Sequence, residues 1–422
     1  MKELRLGYGE GQVCLPVEGA DWVEVLEENP MPVLEDVEEG FRQAMEHPIG
    51  GPGLEQVVEP GDQVTLVISD ITRYWMRQDK LLPLLVERLN RLGVADEDMV
   101  VLIALGTHRP QTEAELDQLL TPELHRRLRV AQHDCDSADL VEVGTTSRGT
   151  VVRVHPLVVG RKVITMGATV HHLMAGFGGG RKSILPGVSA RETILQNHLH
   201  SLSPDQPCSN PLIGSGAVEG NPLNEDMVEA AAMVAPVFGV NIVVDSHSRH
   251  SRFFCGHWYE AWRESCRYVQ RHCGVEIPRK ADVVIASCGG YPKDISLYQA
   301  VKTLFNAAQA VKEGGTLLFL AQCREGGGAP EFFGWIEPQR EGRLDAALRE
   351  GFNIPGYLFY AACEVTRRCQ VRMLSSIPAQ EVRDMGILAF DQVDRLLEGV
   401  DLRGKGVYVM PYGGSVVPFY QP

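Results

Sequence analysis

The chain alternates short apolar runs with polar segments broken by glycine and proline. VTLVIS (64–69), MVVLIAL (99–105) and VVRVHPLVV (151–159) are rich in β-branched and aliphatic residues and predict strands. The first two run straight into polar residues, SDITR and GTHRP. Open α/β folds place ligand-binding loops there, just beyond the carboxyl ends of strands. SARETILQNHLH (189–200) predicts a helix opened by a capping box of Ser189 and Glu192, with Pro186-Gly187 before it. NPLNEDMVEAAAMVAP (221–236) predicts another, with Asn221 as cap and Pro222 in the first turn, leading into a strand at VNIVVDS.

The alternation restarts in the second half. ADVVIAS (281–287) predicts a strand, residues 294–315 a helix ending at a Gly-Gly stop, and TLLFLAQ (316–322) the next strand. The intervening RHCGVEIPRK (271–280) reads as a link. With 422 residues, more than one core is expected. The pattern gives an α/β fold class: two α/β domains, 1–275 and 276–422, with the active site in the interdomain cleft. The tail KGVYVMPYGGSVVPFY is a candidate to pack back on the first domain.

Composition narrows the function classes. A formal charge of −15 argues against a general nucleic-acid surface. No apolar run approaches 18 residues and the start MKELRLGYGEGQ lacks a signal-peptide core, so neither a membrane nor secretion is expected, and a cytoplasmic location is. Ten scattered cysteines form no CxxC pair and read as free thiols in a reducing compartment.

The richest chemistry lies in AGFGGGRKSILPG (175–187). A triphosphate loop places its last glycine directly before the lysine, but here Arg181 intervenes. The dinucleotide pattern also fails, because Arg181 stands where its third glycine belongs. Two readings remain at this level: backbone N–H groups cradling a single phosphate, or a glycine turn packing a helix on a sheet. Four of the thirteen histidines stand in suggestive company: His108 just past a strand, His171 and His172 before the glycine loop, and His198 on the following helix. Neither His171/His172 nor His198/His200 has the spacing of a bidentate metal site. Two imidazoles on separate loops suit proton transfer at both faces of one carbon, which a racemase or epimerase needs.

Taken together, SDITR (69–73), ALGTHRP (104–110), HHLMAGFGGGRKSILPG (171–187), the Asn-His pair at 197–198, EGNPLNEDMVEAA (219–231) and YQAVK (298–302) resemble the nickel-dependent lactate racemase (LarA-type) family of 2-hydroxyacid racemases and epimerases. The spacing agrees as well, ten residues from His172 to Lys182 and sixteen more to His198. The resemblance implies a nickel pincer nucleotide, pyridinium-3,5-bisthiocarboxylic acid mononucleotide with nickel. Lys182 would bind it covalently as a thioamide, His198 would ligate the metal, Gly178, Gly179 and Gly180 would line the cofactor, and Asp70 and Thr72 would orient the cofactor or Arg73. It further implies His108 and His172 as the two acid/bases, and Arg73, Tyr298, Gln299 and Lys302 as the substrate site. Taking the α-hydrogen as hydride while a base removes the hydroxyl proton avoids a carbanion beside a carboxylate and passes through a 2-oxoacid. The partners implied are a small 2-hydroxyacid and the enzymes that build the cofactor and insert nickel.

The sequence departs from the family near Arg73, where Tyr74, Trp75 and Arg77 follow in place of a frequent proline, and at Gly178, where serine is common. The substrate is therefore expected to be lactate-like or a larger 2-hydroxyacid, with Arg77 or Trp75 either facing it or lying on an outer helix surface. Two further classes stay open: a phosphotransferase using the glycine loop, and a non-catalytic cofactor-binding protein.

Overall fold

A computed structural model describes residues 3–420, which divide into two compact units. One holds residues 31–201 and 211–270; the other holds the residues up to 30, 202–210 and those from 271 onward.

The first of these is built on a six-stranded sheet in the order 250–256, 238–244, 162–168, 64–69, 99–104, 129–132. Only the 250–256 edge strand is antiparallel. Val64–Ser69 and Met99–Ala104 are buried at five of six positions each, as expected of parallel strands covered on both faces. In chain order, the strands run outward from 64–69 to 129–132, then return to its other side at 162–168. This reversal creates a topological switch point between 64–69 and 162–168, the place where doubly wound folds bind ligands. The helix Leu82–Arg91 turns Leu82, Leu85, Val86 and Leu89 inward at helical spacing.

The other unit carries an all-parallel sheet in the order 387–390, 370–374, 311–320, 281–287, 406–410, 22–25. Helix Leu297–Ala310 packs on strand 281–287 and on Val417–Tyr420. Asp294, 1 % exposed, accepts the backbone N–H groups of Gly9 (2.7 Å) and Gln322 (3.1 Å) and ties the N-terminal hairpin, 3–8 and 11–16, into this unit.

Several sequence expectations change here. The strand at 151–159 is shorter, Val151–Val154, because Pro156 opens a 3-10 turn. Ser189 does not cap a helix: its hydroxyl donates to the Ile184 carbonyl at 2.7 Å, and Ala190 stands at the cap of Arg191–Leu199. The helix expected over 294–315 stops at Ala310, since Val311 already pairs with Ala281 in the sheet. Asn221 does cap Pro222–Val234, accepting the Leu223 and Asn224 N–H groups. The expected 1–275 body gives up residues up to 30, because Trp22–Val25 pairs in parallel with 406–410. The tail stays in its own unit, Val417–Tyr420 pairing with Gly274–Ile277.

Candidate active site

The loop after strand 64–69 is a short chain of hydrogen bonds. Asp70 is 3 % exposed, and its two oxygens are divided. Oδ2 accepts His108 Nδ1–H at 2.5 Å, and Oδ1 accepts the Thr72 hydroxyl at 2.6 Å. Arg73 donates to that hydroxyl oxygen at 3.1 Å. Burial alone would raise the Asp70 carboxyl, but the bonds from His108 and Thr72 outweigh it and hold the group below its ordinary value. An ionised Asp70 fixes Nδ1 of His108 as a donor and leaves Nε2 facing outward, the orientation a general acid/base requires.

Across strand 64–69, the chain leaves strand 162–168 and forms the bridge His171–His172 with Gly176–Phe177. His172 Nδ1 accepts the backbone N–H groups of Met174 (3.2 Å) and Ala175 (3.1 Å). Its Nε2 lies 2.8 Å from Lys182 Nζ. Burial lowers the pKa of both groups well below the ordinary values, and the charges of Arg181 and Arg73 push each further down.

Arg181 accounts for the glycines. It is fully buried, and its guanidinium lies 4.0 Å from the centre of the Trp262 ring. It donates to the carbonyls of Ala175 (2.6 Å), Phe177 (2.8 Å) and Gly179 (3.2 Å) and to Asn224 Oδ1 (2.9 Å). Gly180, at φ +52°, would drive a Cβ to 2.5 Å from Trp262, and Gly176, at φ +75°, to 2.1 Å from the Ala217 carbonyl. Gly178 is also committed, its N–H to Val170 O and its carbonyl to the Trp262 indole. The loop closes around an internal cation, and packing requires its glycines.

His198, on helix Arg191–Leu199, is 3 % exposed. Its Nδ1–H donates to the Ile194 carbonyl at 2.8 Å, which leaves the Nε2 lone pair to act as a ligand. Burial pushes its pKa down to about 4, so the ring is neutral at pH 7. Next to it, Asn197 donates to Asp226 Oδ2 (2.9 Å) and to the Leu223 carbonyl (3.0 Å). Thr146 and Thr150 also donate to the fully buried Asp226.

Two family models match the chain, the lactate racemase N-terminal domain over residues 8–208 and the lactate racemase C-terminal domain over 277–355. The lactate racemase of Thermoanaerobacterium thermosaccharolyticum is 30% identical over 345 residues, spanning 81% of this chain and 79% of that protein. The chain belongs to the lactate racemase family. The family's enzyme from Lactiplantibacillus plantarum is also 30% identical, over 70% of this chain and 68% of its own length. The lactate racemase apoprotein structure from T. thermosaccharolyticum superposes with a TM-score of 0.86 at 27% identity, covering 99% of this chain and all of that one. A Thermotoga maritima protein, 18% identical, shares the fold at a TM-score of 0.64. Like its lactate racemase relatives, the protein is an isomerase.

Within this lactate racemase family member, Asp70, Thr72, Arg73, His108, His172, Lys182 and His198 all belong to one unit. Tyr298, Gln299 and Lys302 occupy the first two turns of helix Leu297–Ala310 in the other. There Gln299 and Lys302 share an exposed face, Lys302 Nζ donating to Gln299 Oε1 at 2.8 Å. Arg77 is held by Asp79 through two bonds (3.0 and 2.9 Å), and Tyr74 and Trp75 pack on the core. Sequence reasoning missed Trp262, Asn224 and Asp226. The motif EGNPLNEDMVEAA contains two of them, and its run of buried polar positions was the available signal. Asp70 and Thr72 were expected to orient the cofactor or Arg73; Thr72 donates to Asp70 and accepts from Arg73, and the other Asp70 oxygen accepts from His108. Among the described residues no helix is long and apolar enough to cross a membrane, and all ten cysteines are free.

Proposed function

We propose that the protein racemises or epimerises a 2-hydroxyacid, lactate or a larger relative, using a nickel pincer nucleotide. One observation carries the reading. His108 and His172 emerge beyond the two strands that flank 64–69, with the Lys182 amine beside one of them and a neutral, ligand-ready His198 on the next helix.

The residues fit the cofactor. Lys182 offers an amine whose pKa burial lowers well below the usual lysine value, and His198 Nε2 offers one imidazole to a metal whose other ligands would come from the nucleotide itself. The glycine loop contributes shape more than amides, since the Gly178 N–H is bonded to Val170 and Gly180 packs on Trp262; Gly178, Gly179 and Gly180 are assigned to the cofactor by the family resemblance. When bound, the group supplies a reversible hydride acceptor. The protein's own groups do the rest. Arg73 makes no ion pair among the described residues and presents a guanidinium to the substrate carboxylate. Lys302, Gln299 and Tyr298 are assigned to the same substrate. His108, oriented by Asp70, takes the hydroxyl proton of one enantiomer at Nε2, and His172 is the acid/base group assigned to the other face.

Intact-mass analysis with nickel quantitation, on protein coexpressed with cofactor-building and nickel-inserting enzymes, tests the assignment. A mass adduct on Lys182 with stoichiometric nickel is expected, together with loss of optical purity in a panel of 2-hydroxyacids. An unmodified Lys182 with an optically unchanged panel refutes it.

A further inference from the structure

The proposed reading leaves His172 with a conflict that the hydrogen-bond geometry resolves. Two backbone N–H groups point at Nδ1, so that nitrogen must carry a lone pair and the proton of the neutral ring sits on Nε2. Nε2–H then faces Lys182 Nζ at 2.8 Å. An ammonium has no lone pair to receive it, so the partner must be the free amine. The charges acting on both groups agree: those of Arg181 and Arg73 disfavour a further positive charge on either.

We infer that, before loading, His172 is a positioning residue that holds Lys182 as an unprotonated nucleophile, and that attachment of the cofactor releases His172 for substrate. The inference rests on the cofactor reading above. In the attachment, the amine nitrogen bonds to the carbon of a thiocarboxylic acid. The carbon–oxygen bond breaks, and the oxygen leaves as water with one amine proton and the thiol proton. No electrons are exchanged. The resulting thioamide nitrogen has its lone pair delocalised and no longer accepts a hydrogen bond. Nε2–H of His172 therefore loses its acceptor at the moment the cofactor is in place, and is free to give its proton to a substrate oxygen only once the site is loaded.

Two measurements on the full, unloaded chain test this without any turnover. Trace acylation with acetic anhydride across pH 6–10, read by mass spectrometry on the Lys182 peptide, should give a midpoint at least one pH unit below that of exposed lysines, which titrate near 10.4. At neutral pH that corresponds to at least about a tenfold larger reactive fraction. A midpoint coinciding with exposed lysines overturns the inference. Long-range proton–nitrogen spectra should show His172 with a protonated Nε2 and a bare Nδ1. Acetylation of Lys182, which makes its nitrogen an amide, should then abolish the slowly exchanging Nε2–H signal. A signal that survives acetylation, or a proton found on Nδ1, overturns it. An unmodified Lys182 after maturation would remove the cofactor reading and the release step, whereas failure of the acylation test would leave that reading standing.

Discussion

Replacing Arg181 with leucine separates the two explanations of the glycine loop. The substitution removes donors from three backbone carbonyls and from Asn224, along with the stack on Trp262. A buried acceptor left without a partner costs about 1–3 kcal/mol. Against that, the charge itself is unfavourable there. Burial lowers the Arg181 pKa to about 9, a penalty on the order of 5 kcal/mol that leucine escapes. The acceptor loss exceeds the relief, and a net destabilisation of about 3 kcal/mol is expected. Thermal melting followed by Trp262 fluorescence would register this as a fall of roughly 6–12 °C for a unit of this size. Arg181→Lys should rescue little, because an ammonium cannot reach four acceptors in a fork. If Arg181→Leu melts within about 1 °C of wild type, or if lysine restores it fully, the internal-cation account is wrong and the loop must be held open for an anion.

The remaining tests are shorter. Asp70→Asn should keep the fold but slow racemisation about 100-fold, because His108 loses the anion that fixes its orientation; an unchanged rate in loaded enzyme refutes the relay. The Asp70 carboxyl is held below its ordinary value, so its contribution to stability is present above about pH 4 and disappears as pH falls through its folded pKa. Urea titrations at pH 3 and pH 6 should show a smaller difference for Asp70→Asn than for wild type. His198→Ala should lower nickel content while the Lys182 adduct remains; equal nickel in the variant removes His198 as ligand. Asn221→Ala deletes a cap accepting two N–H groups and should cost about 1–2 kcal/mol in denaturant unfolding.

Local signals carried far in this chain. The apolar runs at 64–69 and 281–287 form strands over those same residues, because continuous burial needs continuous hydrophobicity. Asn221-Pro222 opens a helix, since both effects act within one turn. What failed depended on distant partners. Ser189 and Glu192 have the spacing of a capping box, yet the serine hydroxyl is taken by Ile184. Trp22–Val25 carries no mark that it pairs with strand 406–410, nearly 400 residues away. Arg181 reads as a misplaced residue in a phosphate motif because Trp262 lies 81 positions further along. Histidine positions were legible from the loops they occupy, but their tautomers were not. Those depend on Asp70, Ile194 and the Met174 and Ala175 amides.

The polarity of the glycine loop ties these points together. A loop that cradles a triphosphate turns its N–H groups toward an anion and keeps its lysine charged. Here the carbonyls of Ala175, Phe177 and Gly179 turn inward onto a guanidinium, which inverts that arrangement. The inversion has a consequence for the neighbouring lysine. A permanent cation fixed one residue before Lys182, with Arg73 adding a second, makes a further positive charge unfavourable there. Arg181 thus explains why the motif fails as a nucleotide loop, and it adds to burial, the larger cause, in lowering the pKa of its lysine. A nucleophilic amine needs such surroundings, and a phosphate-gripping ammonium would be destabilised by them.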